Sequence, residues 1–391
     1  MNQDWIKEIQ DRAKNIPISA GRSKKIGKIS FDDLVFLPAQ LSKKPVDYYQ
    51  EKIESKTIIG KLTKKPIELE TPIVIGAMSF GSVNRETKAA LSLASRIAGS
   101  CENTGEGGMI REDREYSKCL IAQYASGRFG VDEEYFKKAD AIEIKIGQGA
   151  KAGFGGFLLG FKVTEEIARL RKVPVGKDIH SPASHPDIKT IEDLRKKIEE
   201  FREKTGGKPI ILKLGGCETE DIKLAVKANP DIIAIDGMEG GCGAAPQVLM
   251  DEVGIPTIPL LVKAREVLDE MKAPQELWIG GGLNKGGDMA KALALGADAV
   301  FVATSLLIAM GASDLSSSLE ENQKDIEIPD LKPEIKKKAL KVANYIRNCT
   351  EEVKMIAGAC GKNNIHDLSI DDLRALNSEM AKITKVKLVY Q

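Results

Sequence analysis

From Pro72 to about Ala309, short apolar and β-branched runs ending in glycine clusters alternate with amphipathic stretches of helical period, the pattern of repeated βα units. The candidate strands are IVIGAM (73–78), GSCENTG (99–105), AIEIKI (141–146), KDIHS (177–181), IILKLGG (210–216), IIAIDG (232–237), LWIGGG (277–282) and AVFVAT (299–304). Helical stretches between them include Arg85 to Ile97, Ile191 to Lys204, Asp221 to Ala228, Leu260 to Met271 and Gly287 to Leu295. Each buried parallel strand needs a covering helix, so this alternation predicts an α/β chain folded as a (β/α)8 TIM barrel; a doubly wound open sheet is the alternative.

The flanks lack that rhythm. Residues 1–65 read as an N-terminal arm with a candidate helix from Asp4 to Lys14, 66–312 as the barrel, and 313–391 as a C-terminal loop and helical extension packed on it. In that extension ASDLSSSLEENQKDIEIPD reads as a polar loop and Pro333 to Ala359 as helix. Near the end Ser369 is placed to cap a helix, with Asp372 three residues later.

Composition narrows the function classes. With a net charge of +1 and basic and acidic residues interleaved, no face is suited to nucleic acid or anionic lipid, which leaves small molecules or proteins as partners. Cys101, Cys119, Cys217, Cys242, Cys349 and Cys360 form no CxxC pair, which points to a reducing compartment and away from structural zinc and a disulfide framework. A polar amino terminus and the lack of any long apolar run predict a cytoplasmic protein that spans no membrane.

The chemistry is expected where barrel strands end, because their carboxyl ends converge on one face. Those ends read GAMSFG, NTGEGG, KIGQGAK, KLGG, DGMEGGCGAAP, GGGLNKGGD and ATS, a density of glycine that suits one large ligand. The last two precede helical stretches on the final strands, the usual barrel phosphate site. Lys145, Lys151 and Lys213 sit at or just past apolar strands, where an ammonium needs an anion, a cofactor ring, or a buried carboxylate such as Glu143, Glu106 or Asp236. His180 and His185 bracket a proline-containing segment whose spacing does not suit a shared metal, so a loop or rim role is expected.

Taken in order, GAMSFG, NTGEGG, ASGRFGV, QGAK, EGGCGAAP and GLNKGGD resemble the FMN-binding synthase domain of glutamate synthase and its stand-alone relatives, including the flavoprotein subunit of N-methylglutamate synthase. The resemblance implies Ala77, Met78 and Ser79 under the flavin and Asn103, Gln123 and Lys213 at polar edges of its ring. It places Gly241, Gly281, Gly282, Ala303 and Thr304 at the phosphate, and Glu106, Gln148, Lys151 and Arg171 at 2-oxoglutarate. The implied reaction is reduction of 2-iminoglutarate or a related 2-imino acid by hydride from reduced FMN, with Glu106, Lys151 and Lys213 in catalytic roles.

Three departures modify that expectation. Ala312 stands where the first cluster cysteine of the larger enzymes is expected, which implies no iron–sulfur cluster and electrons from a carrier or partner protein. No glutaminase domain is recognised, so ammonia or an amine is expected from solution or another protein, in an assembly that includes a homo-oligomer. Phe154 and Phe157 replace polar positions in the loop GFGGFLLG, which implies weaker use of 2-oxoglutarate if Phe157 faces the pocket. A flavin-dependent isomerase and a non-catalytic barrel subunit are the competing readings.

Overall fold

The computed structural model describes residues 18–25, 29–311 and 331–390, with Gln10 and Ala13. Eight parallel strands form one sheet: β1 (Ile73–Ile75), β2 (Cys101–Asn103), β3 (Cys119–Tyr124), β4 (Ala141–Lys145), β5 (Ile210–Gly215), β6 (Ile232–Asp236), β7 (Glu276–Gly280) and β8 (Ala299–Val302). From β2 to β8 each strand pairs with its sequence neighbour, and β8 pairs with β1, the order of a barrel and not of a doubly wound sheet, with no strand ladder between β1 and β2 among the described residues. The β1–β2 seam carries a bond from the Ser100 hydroxyl to the Ile73 carbonyl at 2.6 Å.

Alternation along the strands builds two separate packings. Ile210, Leu212, Ile233, Ile235, Leu277 and Ile279 face outward and pack with the apolar sides of the surrounding helices. Val74, Ile121, Ile211, Ala234, Trp278 and Phe301 cluster inside, joined by Ile59 and Leu69 from an antiparallel hairpin, Thr57–Ile59 with Ile67–Leu69. That hairpin straddles the boundary drawn at residue 65. The polar inward positions lie toward the strand ends, where Lys145, Lys213 and Asp236 line a cavity.

The strand count holds, but its membership changes. KDIHS supplies no barrel strand: Ile179–His180 pairs antiparallel with Phe157–Leu158 in a separate two-stranded ladder. The missing strand is β3, CLIAQY, all six residues of which are buried. The helix of Pro333–Ala359 packs along Arg85–Ala98. Ser369 and Asp372 do pair, at 3.0 Å from the Ser369 amide, but they close only the 3-10 turn Ile370–Asp372 before a strand at Leu373–Ala375 pairs with Leu34–Phe36. The candidate helix at Asp4 to Lys14, the loop from Ala312 to Asp330 and the position of Ala312 itself lie outside the described residues.

Cys101 and Cys119, read as unrelated thiols, are register partners on β2 and β3, and their sulfurs meet across the 4.6 Å separating their Cα atoms. Parallel pairing sets side by side two residues that the sequence keeps eighteen apart.

Candidate active site

A cavity of about 460 Å³ opens at the carboxyl ends of the strands, within the range of small-molecule sites. One wall comes from the loops after β6, β7 and β8: Gly241, Gly281, Gly282, Ala303 and Thr304 all line it. Gly281 has φ +106°, and a Cβ there would lie 2.7 Å from Thr257 Oγ1. A Cβ on Gly241 would lie 2.2 Å from Thr304 Oγ1. Side chains are excluded at these two positions, and backbone is left to face the cavity. Thr257 ties the wall together, since its hydroxyl lies 2.6 Å from the Glu239 carboxylate and 3.0 Å from the Gly281 carbonyl. Burial pushes the Glu239 carboxyl up, against the pull of those Thr257 bonds.

Ala77, Met78 and Ser79, after β1, form the adjoining surface, with Gln123 also in the lining. Lys213, from β5, is nearly buried; its Nζ stands 3.7 Å from Asp236 Oδ2 and 4.6 Å from the centre of the Phe301 ring. Lys213 thus has the carboxylate partner of one reading, Asp236, and also lines the cavity. Asn103 alone of the expected cofactor residues is absent from the cavity wall; its Oδ1 accepts from the Gly105 amide at 2.9 Å and shapes the turn leading to Glu106. Glu143 pairs not with a lysine but with Gln123, Nε2 to Oε1 at 2.7 Å.

The opposite side gathers three cations around one acid. Lys145 Nζ is 3.3 Å from Glu106 Oε2, while Glu106 Oε1 is buried without a hydrogen-bond partner. Burial works against the Glu106 charge, but Lys145, the Ser181 hydroxyl and Arg171 outweigh it and hold the carboxyl below its ordinary range. Lys151 Nζ donates to the Ala244 carbonyl at 3.0 Å, and burial lowers its proton affinity despite Cys242 beside it. Arg171 donates to the Phe80 carbonyl at 2.6 Å and to Ser79 Oγ at 3.3 Å, leaving its Nε buried and unpartnered. Gln148 completes the group, with Nε2 3.6 Å from Cys242 Sγ. Lys151 and Arg171, both about nineteen-twentieths buried and with no carboxylate bonded to them among the described residues, make the region suited to an anion.

Phe157 lines this cavity, its ring stacked 4.6 Å from that of His180, whereas Phe154 is exposed and outside the lining. His180 and His185 diverge, the second being buried against Arg128 and the Lys145 carbonyl. Ser181, Glu239, Cys242 and Phe301 also line the cavity and were not singled out by sequence. Phe301 was recoverable from the alternation of β8, in which Val300 and Val302 pack outward; Ser181 carries no local signal, because it arrives from outside the barrel strands.

The family pattern described as a conserved region in glutamate synthase matches residues 3–363. The chain belongs to the glutamate synthase family. A glutamate synthase large subunit-like protein of Rhizobium meliloti (strain 1021) is 39% identical, over 94% of this chain and 89% of its own length. An archaeal-type glutamate synthase (NADPH) of Thermotoga neapolitana is 38% identical, over 86% of this chain and 72% of its own. Among solved structures, a flavocytochrome b2 with sulfite bound aligns with a TM-score of 0.60 at 15% identity, covering 95% of this chain and 83% of that one. A mandelate oxidase mutant with a monooxide FMN adduct aligns at 0.54 and 17% identity, covering 86% of each. At such identities these two establish a shared barrel fold for this glutamate synthase-family chain.

Proposed function

We propose that the cavity holds FMN and that this glutamate synthase-family oxidoreductase, of the class acting on CH–NH2 donors, reduces a 2-imino acid to an amino acid. The observation that carries the reading is the pairing, in one cavity, of a backbone-lined wall at Gly241 and Gly281 with two buried cations that have no carboxylate bonded to them, Lys151 and Arg171. The fit of FMN is supported by the glycines where a Cβ would clash and by Lys213, a cation in the same cavity lining as Ala77 and Met78. Bound there, FMN supplies the hydride.

The chain's own residues then have distinct tasks. Lys151, Arg171 and Gln148 bind the substrate carboxylates and fix the imine carbon at the ring. Glu106, kept ionised, accepts hydrogen bonds from the nitrogen, while the Lys145 ammonium 3.3 Å away carries the proton the nascent amine requires. With FMN bound, hydride would add at the carbon these residues orient and the proton held at Lys145 would go to nitrogen, leaving a carbon–nitrogen single bond. In this reading electrons and ammonia or an amine come from other proteins or solution, since Ala312 stands where the first cluster cysteine of the larger enzymes is expected.

Phe157 sets substrate preference by placing an apolar ring where a dicarboxylate would seek a polar contact. The test is reoxidation of photoreduced, FMN-loaded protein by a panel of 2-oxo acids with ammonia or alkylamines. Some 2-oxo acid and amine pair is expected to reoxidise the flavin and yield the amino acid, and no reoxidation by any pair would refute the reading. In the same assay Phe157→Gln should shift relative kcat/KM toward 2-oxoglutarate, over a 2-oxo acid with an apolar side chain, by about tenfold. An unchanged ratio would remove Phe157 from substrate selection.

A further inference from the structure

The segment 181–187 belongs to no barrel strand, yet it reaches the acid at the centre of the cavity directly through Ser181 and indirectly through His185. Ser181 brings its hydroxyl beside the Glu106 carboxylate and accepts from the Gly156 amide at 2.6 Å. The Pro182 carbonyl accepts from the Ser126 hydroxyl at 2.5 Å. His185 then spans two loops: Nε2 lies 2.7 Å from the Lys145 carbonyl, and Nδ1 lies 2.7 Å from the Arg128 guanidinium. A carbonyl only accepts and a guanidinium only donates, so the ring serves both only when neutral, with its proton on Nε2.

Each loop leads back to Glu106. Lys145 is its ion-pair partner. Arg128 sits in the loop between β3 and the helix Glu133–Lys138, adopts φ 55°, and is held by the Ala125 carbonyl, by Asp187 and by the Tyr124 ring 3.7 Å from its guanidinium carbon. In that loop Gly127 comes so close that a Cβ would lie 2.8 Å from Glu106 Oε1. One side of the carboxylate is thus paired with Lys145 and the other lies against the Gly127 loop, and one imidazole bonds to both segments.

We propose that His185 is the positioning residue for Glu106, acting through Lys145 on one side and through Arg128 and its loop on the other. The inference rests on the proposed function for what Glu106 does, but not for how Glu106 is held. The groups facing the ring are Arg128 and Tyr124 from β3 and its loop, Lys145 from β4, and Glu106, with Asp187 in its own segment and Lys197 beyond it, 3.6 Å from Asp187. Burial, and after it the Arg128 charge, pull the ring's proton affinity below its ordinary value of 6.5, against the Lys145 carbonyl bond, Asp187 and Glu106. The sign follows: the stabilisation from the neutral ring is present above 6.5 and is lost as pH falls through the lower folded value, when Nδ1 gains a proton and meets the Arg128 donors.

The test uses FMN-loaded wild type, His185→Ala and His185→Gln, the last keeping a donor and an acceptor without titrating. Amide exchange across residues 125–131 and flavin reoxidation by a 2-oxo acid with ammonia are followed from about pH 5 to about pH 8.5. In His185→Ala exchange should rise and kcat should fall, each by about tenfold, with KM changed much less. His185→Gln should restore both and lose the acid-side decline of the wild type. An alanine variant with wild-type exchange, or a glutamine variant that retains the acid-side decline, would overturn the inference. If the wild type does not turn over, the functional reading fails and the exchange comparison alone decides this one.

Discussion

Lys151→Met should lower kcat/KM for the 2-oxo acid by two to three orders of magnitude, at about 3–4 kcal/mol, while FMN stays bound. The lysine is 3% exposed, its hydrogen bond goes to a neutral carbonyl, and no carboxylate pairs directly with it among the described residues, so a substrate carboxylate would be its close counter-charge. Methionine preserves length and apolar packing but removes the charge, and Cys242 and Gln148 offer no substitute cation. Steady-state kinetics with flavin content measured in parallel separates loss of substrate affinity from loss of cofactor. Wild-type kcat/KM in Lys151→Met would detach this residue from the substrate.

Glu106→Gln should slow flavin reoxidation at saturating 2-oxo acid and ammonia by about a hundredfold, the scale of a lost proton-handling group. The amide fills the same space but cannot balance Lys145 or bind an ammonium-like nitrogen through charge. Burial disfavours the glutamate's charge, and Lys145, Ser181 and Arg171 outweigh it, so the residue the amide replaces is an ionised carboxylate. Single-turnover measurement isolates this step from product release. An unchanged rate would strip Glu106 of its assigned role.

The barrel was legible in the sequence because buried parallel strands and their helices leave period-2 and period-3.6 patterns, and glycine clusters mark the strand ends. β3 escaped because CLIAQY follows the charged helix REDREY and carries no glycine until Gly127, beyond the strand. KDIHS took its place because a short strand on the rim and a barrel strand look alike in a five-residue window. At the site, glycine loops and lysines on apolar strands have local signatures, and the structure gathers nearly all of them around one cavity. Pairings such as Lys145 with Glu106, thirty-nine residues apart, have none. Nor does the role of His185, whose two bonds reach back forty and fifty-seven residues. Asn103 carries a bond its motif does not announce, its Oδ1 accepting from the Gly105 amide in the turn to Glu106.

The division of the cavity into a phosphate-gripping wall and a carboxylate-binding side is tested most directly by titrating flavin-free protein with FMN and with riboflavin, which differ only in the phosphate. FMN should bind at least about a hundredfold more tightly, because the proposed function assigns its phosphate to the wall lined by Gly241, Gly281, Gly282 and Thr304. Equal affinity for the two, or binding of neither, would contradict the account.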